Sequence, residues 1–274
     1  MNPRYSIVVV HGINGKSGTT QTGFSTQLAN LVLPEATLQK EFWHEATWEG
    51  VFDDLDNKVK TIVSELVNSY DFENYFKARM AQKKGVRKVL PLLGNFALLF
   101  GKWVLSDLVS EILDYALDLP LYLGDVYATE MREVVEDEIR RASEQTNGVV
   151  VVGHSLGSVI AYDAVASLLM KEKPPTIKSL VTLGSPLEWV TSLRTTRHSS
   201  DVIHHVPESL KWVNFYNKED PVPMKKALSI VSFPSVENFE ILVKAKKPLV
   251  AHSAYWSDRN VAAHIKSLVF ADSD

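Results

Sequence analysis

The sequence from residue 148 to residue 157 reads Gly-Val-Val-Val-Val-Gly-His-Ser-Leu-Gly. Four consecutive valines predict a short strand that is buried on both faces, as the strands of parallel sheets are. The chain then turns through Gly-x-Ser-x-Gly, and residues 158 to 171 carry apolar side chains at helical spacing. A strand, a sharp turn at a serine and a helix predict an α/β fold in which the hydroxyl of Ser155 stands at the carboxyl end of the sheet as a nucleophile.

The glycines at 153 and 157 have a steric reason in this turn. Ser155 is expected in a strained backbone conformation, and the strand and the helix pass closely only where no Cβ intervenes. Gly-x-Ser-x-Gly by itself occurs by chance in many chains of this length. The strand before it and the helix after it make the nucleophile interpretation specific.

Length and composition limit the classes of protein. A chain of 274 residues fits one α/β domain over residues 1–274, with or without an insertion. The net charge of -4 gives no basic face for nucleic acid. The absence of cysteine excludes disulfides and thiolate metal sites and suits a reducing compartment. The apolar run from Ile7 to Val10 is too short for the core of a signal peptide, so we expect a first strand there and a cytoplasmic protein.

Two patterns that suggest a cofactor or a metal are weak. Residues 15–17, Gly-Lys-Ser, look like the end of a phosphate-binding P-loop, but the glycine required five positions earlier is Val10. Several histidines near Asp201 suggest a metal site, yet His204 and His205 are adjacent and would point to opposite faces of a strand. We therefore predict no nucleotide and no metal.

The remaining hydrophobic patterns predict an alternation of strands and helices. We expect strands at 7–10, 38–48, 177–183, 212–216 and 239–243, and helices at 19–33, 53–70, 127–145 and 260–270.

Residues 71–124 have no place in a minimal alternation and predict a helical insertion. A basic cluster precedes a long apolar run, but proline, glycine, asparagine and lysine interrupt that run, which makes it a poor candidate for a membrane span. The insertion is a lid over the site, an interfacial segment that contacts lipid through residues 83–105, or plain helical packing on the core.

Five features in order along the chain carry a resemblance to a known family. They are His11-Gly12, the turn at 153–157, Leu-Gly-Ser-Pro at 183–186, Asp220 in Asp-Pro-Val-Pro, and His252. With these features the chain resembles the lipase and esterase branch of the α/β-hydrolase fold superfamily. It is most similar to its glycosylphosphatidylinositol inositol-deacylase-like and lecithin–cholesterol acyltransferase-like members. The resemblance implies a mostly parallel central sheet flanked by helices, with a helical lid or cap.

The resemblance implies a triad in the order Ser155, Asp220, His252. Glu219 competes with Asp220 because it lies one residue away, and His264 competes with His252 but falls inside the predicted closing helix. Asp163 is a further acid, placed in the helix after the nucleophile.

The resemblance also implies an oxyanion hole made by the backbone N–H groups of Ile13 and Leu156, with His11 orienting the loop rather than acting as the base. Ser185 is a second serine close to the site by position, but the proline after it gives no strand–turn–helix pattern. The triad requires no cofactor.

The implied function is a serine hydrolase that cleaves carboxylic esters, lipid esters among them, through an acyl-enzyme. The expected partner is a small-molecule or lipid ester, with peripheral membrane contact through residues 83–105. Two alternatives stay open: a non-catalytic α/β-hydrolase scaffold that binds a partner, and an acyltransferase that uses the same triad.

Overall fold

The computed structural model describes residues 2–12, 24–48, 122, 128–188, 190–191, 205–243 and 248–270. The strands of these residues are β1 (Ser6–Val10), β2 (Trp43–Ala46), β3 (Val149–His154), β4 (Ile177–Leu183), β5 (Lys211–Tyr216) and β6 (Val236–Glu240). The helices are α1 (Phe24–Val32), α2 (Ala36–Phe42), α3 (Ala128–Gln145), α4 (Leu156–Leu169), α5 (Pro248–Ser253) and α6 (Arg259–Phe270), with a 3-10 helix at Ala254–Ser257.

The described strands form one six-stranded sheet in the order β2-β1-β3-β4-β5-β6, and every neighbouring pair is parallel. The valines of β1 and β3 are completely buried, as strands covered on both faces require. A parallel sheet with helices packed on it is the predicted α/β architecture, which is thereby confirmed.

The strand order reverses between β1 and β3. The chain first adds β2 on one side of β1 and later returns to place β3 on the other side. At such a reversal the loops after neighbouring strands diverge and leave a crevice at the carboxyl ends, where α/β proteins bind ligands. Residues 11–12 follow β1 at this point and Ser155 follows β3.

The main hydrophobic core lies between one face of the sheet and the helices α1 and α6. Alternate residues of the strands, such as Val9, Val152 and Leu183, point into it and are completely buried. Leu28 of α1 and Ile265 of α6 cover them from the helical side. Helix α4 packs on β1, β3 and β4. Eleven of its 14 residues are buried, because the helix lies directly behind the central strand.

Two of the predicted elements need correction. Residues 38–42 were expected in a strand, but they belong to α2, where Leu38 and Phe42 lie four residues apart and both face the core. The predicted last strand at 239–243 is instead β6, which ends at Glu240. The N–H of Ile241 still bonds to the carbonyl of Tyr216, after which the chain leaves the sheet.

Several predictions fall on other parts of the chain. The predicted helix at 53–70, the interfacial segment at 83–105 and, apart from Tyr122, the insertion at 71–124 lie outside the described residues. The chain divides into two compact units, residues 1–48 with 132–274 and residues 49–131, and the six strands belong to the first. Within the described ranges, no helix has both the length and the apolar character needed to cross a membrane.

Candidate active site

Ser155 occupies the turn between β3 and α4 in a strained backbone conformation. Its φ of 55° and ψ of -130° lie in a region that L-residues rarely adopt. The N–H of Ser155 donates to the carbonyl of Leu183 at 3.0 Å, and its carbonyl accepts from the N–H and the hydroxyl of Ser158 at 3.0 and 2.5 Å. These bonds fix the backbone on both sides of the turn and direct the serine to the carboxyl edge of the sheet.

The loop after β1 passes directly beside the serine. A Cβ at Gly12 would lie 2.8 Å from the Cβ and 3.4 Å from the Oγ of Ser155. On the other side, a Cβ at Gly157 would overlap the carbonyl groups of Val10 and His11. Glycine at 157 is therefore required by this close approach, while the expected oxyanion donor Ile13 lies outside the described residues.

Asp220 and His252 meet at the same edge of the sheet. The Nδ1 of His252 lies 2.8 Å from the Oδ2 of Asp220, and both residues are buried, with exposed fractions of 1% and 0%. The N–H of Val222 donates to the other carboxylate oxygen, Oδ1, at 3.0 Å. Because the carboxylate only accepts, Nδ1 carries the proton in this pair and Nε2 is the nitrogen available as a base.

His252 lies in the short helix α5. His154, the residue before Ser155, contacts His252 on the side opposite to Asp220. The Nε2 of His154 lies 2.8 Å from the backbone oxygen of His252, and the two imidazole rings are 4.5 Å apart between centroids. His252 is thus in contact with the end of β3, immediately before Ser155.

Two residues complete the surroundings of the carboxylate. The hydroxyl of Tyr255 donates to the Oδ2 of Asp220 at 2.7 Å. Gly184, in the turn after β4, has a φ of 55°, and a Cβ there would lie 2.8 Å from that same oxygen. The acid, the base and the tyrosine therefore pack against the backbone of the neighbouring strand end.

The sequence also matches the model of a known protein family. The family model for lipases of class 3 matches residues 42–229. The chain belongs to the class 3 lipase family. The comparison with curated proteins finds no match.

Membership of the class 3 lipases confirms the resemblance to the lipase branch of the α/β-hydrolase superfamily, and the parallel sheet fits that fold. The matched range includes Ser155 and Asp220 and ends before His252. The proposed assignment of the base therefore depends on the geometry around α5.

The residues that compete with this assignment lie in other surroundings. Glu219 is exposed, and its N–H donates to the side chain of Asn217 at 2.9 Å. His264 lies in α6 and packs against the rings of Phe215 and Phe239. Ser185 is buried, and its hydroxyl donates to the hydroxyl oxygen of Ser158 at 2.7 Å, because the single proton of Ser158 is donated to the carbonyl of Ser155.

A second polar cluster lies behind the loop after β1. The Nε2 of His11 lies 3.5 Å from the Oε1 of Glu45, and the hydroxyl of Ser25 donates to the same oxygen. The hydrogen bond from His11, together with that from Ser25, lowers the pKa of Glu45 despite its partial burial. The indole of Trp48 donates to the carbonyl of His11 at 3.1 Å, so the cluster holds the loop beside Ser155 by both the side chain and the backbone of His11.

Sequence reasoning missed His154, Tyr255 and Ser158 as members of the site. His154 stands inside the Gly-x-Ser-x-Gly turn, but its contact with His252 joins residues 98 positions apart. Tyr255 follows His252 by three residues, a helical spacing that places both on one side of a helix and was the available signal. In the described part of the chain, no group of three or more potential ligands could hold a metal.

Proposed function

We propose that this protein is a serine hydrolase that cleaves carboxylic esters through Ser155, His252 and Asp220. The observation that carries the proposal is the buried 2.8 Å contact between His252 and Asp220, next to the strained turn of Ser155. Membership of the class 3 lipases supports an ester as the substrate. The order Ser, Asp, His along the chain is the order of α/β-hydrolase triads.

In the first half of the reaction, the Oγ of Ser155 forms a bond to the ester carbonyl carbon while the Nε2 of His252 takes the hydroxyl proton. The carboxylate of Asp220 keeps the proton on Nδ1 and stabilises the imidazolium that results. The tetrahedral intermediate collapses as the bond to the alkoxy oxygen breaks. His252 gives its proton to this leaving alcohol, and the acyl group stays on Ser155.

In the second half, water attacks the acyl carbon and gives a proton to the Nε2 of His252. The bond to Ser155 Oγ breaks, His252 returns the proton to the serine, and a carboxylic acid leaves. An acyltransferase would use another alcohol in place of the water. One oxyanion donor typically contributes about 3–4 kcal/mol to catalysis.

The backbone N–H of Leu156 is proposed as the first hydrogen-bond donor to the oxyanion. Leu156 is the first residue of α4, where N–H groups have no carbonyl partner within the helix and the helix dipole favours negative charge. Gly12 approaches Ser155 closely, so the next N–H, that of Ile13, is proposed as the second donor.

Labelling with a fluorophosphonate probe tests the proposal. We expect the wild-type protein to be labelled on Ser155 and to hydrolyse a short soluble ester, and Ser155→Ala to lose both properties. Ser185→Ala is the matched control, since Ser185 is also buried near the turn but is hydrogen bonded to Ser158. A folded wild-type protein that takes no label would refute the hydrolase function and favour a non-catalytic scaffold.

We further propose lipid esters as substrates, with membrane contact through residues 83–105. Basic residues and then leucine, phenylalanine and tryptophan side chains in this range suit an anionic lipid surface. Flotation with anionic liposomes should recover the protein, and Phe96→Ser with Phe100→Ser should reduce this while sparing hydrolysis of a soluble ester. Equal flotation of both proteins would contradict the contact. The cytoplasmic location stays a prediction of the sequence.

A further inference from the structure

The hydroxyl of Tyr255 and the ring of the proposed base, His252, both donate to the same carboxylate oxygen of Asp220. Tyr255 lies in the 3-10 helix that follows α5, three residues after His252, and is completely buried. Its hydroxyl is 2.7 Å from the Oδ2 of Asp220, and the Nδ1 of His252 is 2.8 Å from the same atom. The carboxylate therefore accepts two side-chain hydrogen bonds on Oδ2 and a backbone bond from Val222 on Oδ1.

The turn after β4 leaves room for the contact between Tyr255 and Asp220, because residue 184 is a glycine. A Cβ at Gly184 would lie 2.8 Å from the Cε2 of Tyr255 and 2.8 Å from the Oδ2 of Asp220. The turn after β4 is thus shaped around the pair formed by the tyrosine ring and the carboxylate, and not around the carboxylate alone.

The tyrosine is a permanent donor in this position. Burial raises the pKa of Tyr255 well above its usual value of 10.0, and the negative charge of Asp220 raises it further. Over the pH range in which proteins function, the hydroxyl keeps its proton and donates it to the carboxylate.

We propose that Tyr255 is a positioning residue that acts through Asp220 on the base His252, an inference that rests on the proposed hydrolase function. Tyr255 touches neither the ester nor the nucleophile in this mechanism. By donating to Oδ2 it fixes the rotation of the carboxylate and takes up part of its negative charge, so that the remaining lone pair is directed at Nδ1 of His252.

The direction of the effect follows from the charges around His252. Among the described residues, Asp220 and Tyr255 face it on one side and His154 on the other, with His11 further along the same edge. Without the hydroxyl, the negative charge on Oδ2 is less compensated and favours the protonated imidazole. A more alkaline solution is then needed to obtain the free base.

The variant Tyr255→Phe tests the inference because it removes the hydroxyl and keeps the ring. We expect kcat to fall by about tenfold with KM unchanged, as for a hydrogen bond to a charged group. The acid limb of the kcat/KM profile should move to higher pH. In proton NMR, the resonance of the His252 Nδ1–H should move downfield, because Oδ2 accepts one bond instead of two.

Tyr162→Phe is the matched control. Tyr162 is equally buried, and its hydroxyl contacts His205, while its ring packs against Trp212 and Phe233. We expect it to change the melting temperature without moving the acid limb or the low-field resonance. If Tyr255→Phe behaves as Tyr162→Phe does, Tyr255 has only a packing role and the inference is wrong.

The two proposals fail in different ways. A wild-type protein without esterase activity and without probe labelling refutes the hydrolase function, whatever Tyr255 does. The NMR comparison requires no turnover, so an unchanged His252 Nδ1–H resonance in Tyr255→Phe refutes the positioning role even when Ser155 is labelled normally.

Discussion

The Nε2 of His154 donates a hydrogen bond of 2.8 Å to the backbone oxygen of His252. A carbonyl oxygen only accepts, so the proton of the His154 ring must be on Nε2. His154 is the residue immediately before Ser155, and this bond therefore connects the end of β3, next to the proposed nucleophile, to helix α5, which contains the proposed base. We therefore expect it to help hold the side chains of Ser155 and His252 in place relative to each other.

Removing this donor should misplace the base. We expect His154→Leu to lower kcat by about tenfold or more, because a shift of the base costs catalysis even where the fold survives. His154→Gln places an amide N–H near the position of Nε2 and should recover much of the loss. Steady-state kinetics of both variants on a soluble ester provide the measurement, and equal losses in both would show that the hydrogen bond is not what matters.

The same residue makes stability depend on pH. Burial lowers the pKa of His154 well below the usual 6.5, and the neighbouring His252 and His11 disfavour a further positive charge. The unfolded chain then binds a proton near pH 6.5 that the folded protein does not bind. The stability contributed by neutral His154 is complete above pH 6.5 and is lost progressively as the pH falls below it.

Thermal unfolding between pH 7.5 and pH 5 measures this effect. The wild-type melting temperature should fall over this range, and the fall should be smaller in His154→Gln, which has no group to protonate. Burial also lowers the pKa of His264, but this residue is only partly buried, so we expect it to contribute less to the pH dependence of stability than His154 does. A pH dependence that is identical in wild type and His154→Gln would contradict the assignment.

The choice between the two adjacent acids is also testable. Asp220 is buried against His252, whereas Glu219 is exposed. Asp220→Asn should reduce kcat by roughly 10⁴-fold, because the base then loses its orienting anion. Glu219→Gln should change kcat/KM only slightly. A larger loss at Glu219 would reverse the assignment.

The sequence was sufficient for the central part of the fold. The run of valines before Ser155 and the amphipathic pattern of α3 are local signals with the period of a strand and of a helix, and both elements were predicted correctly. The strand predicted at 38–48 is confirmed at Trp43–Ala46, which form β2, and is wrong at 38–42, where the side chains alternate only loosely. Packing of Leu38 and Phe42 on the core, which the sequence does not display, decides in favour of α2.

For the candidate site, the residues that belong to motifs could be named and their supporting contacts could not. Ser155, Asp220 and His252 were predicted from motif and order, and they stay predictions until activity is measured. The bonds of Tyr255 to Asp220 and of His154 to His252 join residues 35 and 98 positions apart. Such contacts arise from the parallel arrangement of strand ends, so a single sequence gives no direct signal for them.

Gly184, in the turn after β4, lies against both Asp220 and His252. Gly184 has a φ of 55°, and a Cβ there would lie 2.8 Å from the Oδ2 of Asp220 and 3.2 Å from the Cε1 of His252. Gly184→Ala should therefore be strained by about 1–3 kcal/mol in its backbone and should also displace the acid and the base. We expect a lower melting temperature and a loss of kcat that exceeds what the stability change explains.

Gly148→Ala is the control for this variant. Gly148 also has a positive φ, of 133°, and a Cβ there would lie 2.6 Å from the carbonyl of Thr176, but it precedes β3 and so lies at the opposite end of the sheet. Its substitution should lower the melting temperature and leave kcat/KM at temperatures well below unfolding close to the wild-type value. If both variants keep normal kcat/KM, the contact of Gly184 with the carboxylate has no part in catalysis. If both lose it equally, the loss reflects general destabilisation of the sheet.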